Sequence, residues 1–180
     1  MKNQNTKKSA YAALFLALCL VLPMLTGQIP QIGSMLLPMH IPVLLCGLVC
    51  GWQYGAAVGF VAPLLRSVLF GMPPMYPVAI AMAFELLTYG LVIGLVYRRM
   101  AQKGAAGVYA ALLTAMVAGR LVWGVAEVVL LGLGGKAFTA QAFLTGALLN
   151  AVPGIIVQLV LIPAVMAALQ KAGAVKEYAE

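Results

Sequence analysis

The chain has 180 residues, of which 64% are hydrophobic and only 8% charged, and its formal net charge is +7. Soluble domains carry roughly a quarter charged residues, so a soluble fold of this size could not hide so much apolar surface. The apolar runs are long and unbroken, which excludes a β-barrel, and the basic residues cluster at the ends of those runs, which argues against a nucleic-acid partner. The sequence reads as an all-α, multi-pass membrane protein forming one domain over residues 1–180.

The first span is expected over residues 9–26, preceded by Lys2, Lys7 and Lys8. This start resembles a signal peptide, but no small-x-small cleavage site follows and further spans do, so it is read as a retained helix. Ala13 and Ala17 lie one turn apart and let another helix approach closely. Residues 27–39 form a long uncharged connection containing Gly27, Pro30, Gly33 and Pro38. Loops of this kind are usually functional, either as a lid over a binding site or as a partly re-entrant segment.

The second span, residues 40–50, is short and starts at His40, which is expected at the outer face. The third, residues 54–70, follows almost directly. Gly47, Gly51, Gly55 and Gly59 recur every four residues and favour close backbone packing. Pro63 is expected to kink the third span near Arg66. After a Gly-Met-Pro-Pro turn, the fourth span, residues 76–97, carries Glu85 and Tyr89 on one face. The fifth, residues 108–133, carries Arg120, Trp123 and Glu127 on one side. The sixth, residues 140–169, contains Asn150, Pro153 and Gln158.

Six spans put both termini on one side. With the N-terminus in the cytoplasm, eight of the 11 lysines and arginines fall in inner segments, and only Lys136 falls in an outer connection. The positive-inside rule therefore places both termini in the cytoplasm. Arg66 and Arg120 are the two basic residues within spans. Counting about 1.5 Å per residue, the polar groups of the spans converge on the outer half of the membrane, beneath residues 27–39.

The chain has four acidic residues, all glutamates, and two of them, Glu85 and Glu127, lie inside spans. A charge at mid-membrane costs about 2.5–3.5 kcal/mol, so four cost on the order of 10 kcal/mol unless paired or hydrated. Two readings follow. Either Arg66 and Arg120 neutralise the glutamates as packing salt bridges, or these groups line a polar, outward-opening pocket for a small solute. Trp123, Tyr89 and Tyr76 suit the walls of such a pocket. Tyr76 also suits an interfacial anchor.

Bond chemistry has little to work with. There is no aspartate, one histidine, no His-Glu-x-x-His pattern and no phosphate-binding loop, so neither a protease nor an ATPase is expected. Cys19, Cys46 and Cys50 lie in apolar runs and read as small packing residues. No metal or cofactor is expected.

Several stretches together resemble the S component, the substrate-binding subunit, of an energy-coupling factor (ECF) vitamin transporter. They are the Ala13/Ala17 pair, GSMLLPMHIPVLLCG over residues 33–47, GWQYG over residues 51–55 and RSVLFGMPP over residues 66–74. The resemblance covers about residues 7–169. It implies a subunit in the plasma membrane of a prokaryote that binds a vitamin or related micronutrient from outside. It also implies partners: a membrane T component and two cytoplasmic ATPases, with Ala13 and Ala17 as the T-component docking face. The subunit would topple in the membrane during transport, with residues 27–39 as a gate.

Family sites draw on regions that here hold Glu85, Arg120, Trp123, Glu127 and Asn150. His40, Arg66 and Tyr89 complete the expected binding set. The His-Ile-Pro pattern and the Arg66 stretch most resemble members assigned to pantothenate, whose carboxylate an arginine suits. Riboflavin, a pyridoxine-like ligand or a queuosine precursor are the other options. The rival from another class is a non-transport membrane protein whose buried charges serve packing alone.

Overall fold

The computed structural model describes residues 2–25, 35–135, 139–146 and 150–173, and among these no strand occurs. The helices are α1 (Lys2–Leu25), α2 (His40–Cys50), α3 (Trp52–Phe70), α4 (Ile80–Met100), α5 (Ala105–Leu133), α6 (Ala140–Leu144) and α7 (Val152–Lys171). A π turn, Met75–Ala79, leads into α4, and a 3-10 turn, Ala101–Lys103, joins α4 to α5.

Among the described residues, five segments are long and apolar enough to cross a membrane: Asn5–Leu25, Trp52–Phe70, Met75–Met100, Ala105–Leu133 and Val152–Lys171. The short α2, with 11 residues, reaches only about 16 Å against a hydrocarbon core of about 30 Å. Its first residue, His40, is 1% exposed and so is enclosed by the protein. Pro63 sits within α3 without ending it.

One expectation about helix ends changes: α1 begins at Lys2, so the basic N-terminal residues are on helix rather than ahead of it. The stretch expected as one helix over residues 140–169 is described as α6, ending at Leu144, and α7, beginning at Val152, with residues 147–149 between them outside the described residues. Pro153 stands at the start of α7, where its missing N–H leaves no bond unmade. Further inside a helix it would clash with the preceding turn. Most of the expected lid, residues 27–34, lies outside the described residues, as do Lys136 and the acidic tail with Glu177 and Glu180.

α1 to α5 alternate in direction, and α4 is the centre. It packs against α2, α3 and α5, while α1 lies on α2 and α3, and α7 lies on α5 and α2. The glycine spacing explains how three helices meet. A Cβ added to Gly55 would sit 2.7 Å from the Gly47 Cα and 2.8 Å from the Gly90 carbonyl oxygen. Only hydrogen fits there, so α2, α3 and α4 touch backbone to backbone. Gly51, between α2 and α3, has φ +94°, the left-handed half of backbone space that glycine enters without strain.

The interior is filled by Val43, Leu44, Leu48, Leu86, Ile93 and Leu112, all at most 1% exposed. The outward side of α5 keeps Leu121, Val125, Val128 and Val129 exposed, the surface expected against lipid tails. On α1 the two sides separate cleanly. Ala12 and Cys19 are buried, whereas Ala13, Leu14 and Ala17 are exposed.

Candidate functional site

Glu85 is the hub of a buried polar cluster. It is 2% exposed and projects from α4 toward both α2 and α5. The Arg120 guanidinium reaches it through Nη1, 2.9 Å from Oε1. The His40 Nε2 lies 3.4 Å from the same oxygen. Three helices thus deliver one residue each to one point. His40 reaches this point from the first position of α2 and is 1% exposed.

Tyr89, one turn along α4, packs its ring edge-on against His40 with centroids 5.2 Å apart. Gly119 on α5 leaves room for that ring: a Cβ there would lie 3.0 Å from the Tyr89 Cζ. On the other side of Arg120, the guanidinium carbon stands 6.0 Å from the Trp123 ring, within reach of a cation–π attraction. Trp123 in turn stacks on Phe143 of α6, with centroids 6.1 Å apart and planes 26° from parallel. A continuous line runs His40, Glu85, Arg120, Trp123, Phe143.

The cluster is not saturated. Its two contacts to Glu85 bring the groups close without the angles of a directed hydrogen bond. His40 Nδ1, Arg120 Nε and Nη2, and Gln158 Nε2 are buried and have no hydrogen-bond partner among the described residues. An unmet buried donor costs about 1–3 kcal/mol, so the three on Arg120 and Gln158 invite a partner that can accept.

The other expected residues fall in three places. Glu127 is buried on α5, 7% exposed, about 10 Å along the helix from Arg120. No ion pair or hydrogen bond holds it among the described residues. Asn150 is exposed in the turn before α7, and its backbone N–H donates to the Thr145 carbonyl. Arg66 does not join the cluster. Its Nη1 donates to the Leu20 carbonyl near the end of α1, and its guanidinium lies 5.3 Å from the Phe70 ring centroid. A cation suits a helix C-terminus, so Arg66 fastens α1 to α3. The alternative in which each arginine neutralises a glutamate is met once, by Arg120 and Glu85. Tyr76 is half exposed, and its hydroxyl donates to the Leu130 carbonyl.

Gln158 was not among the expected binding residues. It is 1% exposed, and the signal available in the sequence was a neutral amide in the middle of an apolar span. No group of three or more His, Cys, Asp or Glu able to hold a metal occurs among the described residues. Cys19, Cys46 and Cys50 are free and buried, with the Cys19 thiol directed at the Met39 carbonyl. A separate cavity of about 370 Å³ lies between α5 and α6, walled by Leu121, Val125, Val128, Val129 and Phe143. None of the clustered polar residues lines it, so it is a groove in the apolar exterior and not the polar site.

No curated protein and no solved structure matches the chain. The family described as "ECF transporter, substrate-specific component" matches residues 7–168, nearly the whole chain. The chain therefore belongs to that family: it is a multi-pass membrane subunit that binds substrate for a transporter, and not an enzyme.

Proposed function

We propose that this protein captures a vitamin or related micronutrient from outside a prokaryotic cell, for import by a T component and two ATPases. In this reading α2 completes a six-helix arrangement in the plasma membrane with both termini cytoplasmic. The pocket is built on His40, Glu85, Tyr89, Arg120 and Trp123, with Glu127 and Asn150 nearer its mouth. Arg66 supports the pocket by anchoring the end of α1, from which residues 27–34 depart.

The observation that carries the reading is the unsaturated cluster. An ion pair kept only for packing is expected to be closed by further hydrogen bonds, since leaving buried donors unmet gains nothing. Here Arg120 and His40 keep donors unmet beside Glu85. Pantothenate is the best single candidate, because it combines a carboxylate with hydroxyl and amide groups that could meet Arg120 and the glutamates. The exposed Ala13 and Ala17 support docking of the T component on α1.

The test is to purify the full chain in detergent and identify any bound small molecule by mass spectrometry. A stoichiometric micronutrient is expected. A correctly folded preparation that is empty, and that binds none of the vitamins offered to it, would leave the charges with a packing role only.

A further inference from the structure

Gln158 and the free edge of Arg120 specify what part of a substrate the cluster takes. Tyr97 near the end of α4 accepts a hydrogen bond from Gln170 near the end of α7, at 3.2 Å. Both helices rise about 1.5 Å per residue. Gln158 lies as many residues before Gln170 as Glu85 lies before Tyr97, so the two sit at one height, about 18 Å from that contact. α7 packs on α5 and on α2, the helices that carry Arg120 and His40. At its other end, Gly154 abuts the backbone of Met35 and Leu36, the segment that enters α2. His40, Glu85, Arg120 and Gln158 therefore share one level of the bundle.

At that level Arg120 Nε and Nη2 and Gln158 Nε2 are buried donors with no partner among the described residues. Arg120 spends Nη1 on Glu85 and keeps Nε and Nη2, the edge on which two N–H bonds point the same way. Two parallel N–H groups fit the two oxygens of a carboxylate. A guanidinium has five N–H donors, so Glu85 can hold it in position while the second edge stays on offer. The unmet amide of Gln158 is a neutral donor to the same oxygens or to a neighbouring carbonyl. A phosphate, with its larger charge, would meet stronger repulsion from Glu85 than a single carboxylate does, with one arginine to offset it.

We infer that the substrate is a small monocarboxylic acid, its carboxylate seated on the Nε–Nη2 edge of Arg120 with Gln158 as a second, specificity-determining donor. This rests on the transport reading above. The experiment uses the full chain in detergent. Bound small molecules are extracted, identified by accurate mass, and converted to the methyl ester, which forms at any carboxylic acid. Acid and ester are then titrated against the emptied protein. The acid should bind about a hundredfold more tightly than its ester, and Gln158→Leu should weaken the acid about tenfold while leaving the ester little changed. Removing charge at both ends of the ion pair, Glu85→Gln with Arg120→Gln, avoids a stranded charge. That variant should fold, judged by size exclusion, and lose the preference for the acid.

A bound molecule without a carboxylate, or equal affinity for acid and ester, overturns the inference and leaves the transport reading standing. An unchanged acid affinity in Gln158→Leu removes Gln158 from the site. A folded protein with nothing bound and nothing that binds takes the transport reading down with the inference.

Discussion

Arg120 and Glu85 can be separated from mere packing by how their variants partition between stability and binding. Arg120→Ala strands the Glu85 carboxylate in a site 2% exposed and should cost about 3–5 kcal/mol. Replacing both with methionine should restore most of the thermal stability, since apolar substitutes for a buried pair are often neutral or better, but should not restore ligand binding. Recovery of both would mean that the pair only holds the fold. Glu127 gives the cleaner separation. No partner holds it among the described residues, so Glu127→Gln should leave the melting temperature unchanged or slightly higher. Its effect should appear in affinity, as a loss of about tenfold by titration. The convergence of Glu85 and Arg120 was legible in the sequence because charge is so scarce in the spans. The partner of Arg66 was not, since every helix offers carbonyl oxygens and nothing in the residue order marks that of Leu20. Gln158 was passed over because an uncharged amide stands out less than a glutamate, although its burial penalty without a partner is of the same kind.

At the level of helices, the glycines of α2, α3 and α4 carry the packing. Gly55→Leu would drive a side chain into the Gly47 and Gly90 backbones, where neither neighbour can move aside. The variant should fail to give a monodisperse peak on size exclusion, whereas Gly132→Ala, at a position with open space around it, should be silent. The repeat at every fourth residue announced this contact in advance, because small residues at helical spacing have few other uses. The burial of His40 within the protein was harder to read, since the residue order shows only an 11-residue apolar run that starts there. Pro153 suits the helix start just before it, while the apolar composition on both sides suggested one continuous span.

For the whole molecule, the two faces of α1 imply a division of labour. Cys19 looks inward and Ala13 and Ala17 look out. Joint replacement, Ala13→Trp with Ala17→Trp, should leave ligand affinity in detergent intact and abolish uptake in cells carrying the partner subunits. Retained uptake would move docking elsewhere. Reporter fusions at the C-terminus test orientation: a cytoplasmic terminus gives a fluorescent green protein fusion and an inactive alkaline phosphatase one. The backbone seam at Gly47, Gly55 and Gly90 has a mechanical meaning. Where side chains separate two helices, rotamer changes let them slide, but main chain pressed on main chain has no such give. α2, α3 and α4 should thus travel as one stiff plate during the transport cycle, and any flexing should fall to α1 and α7 at its flanks. Hydrogen–deuterium exchange in detergent should accordingly find the slowest amides along that seam and faster ones in α7, with or without cargo aboard.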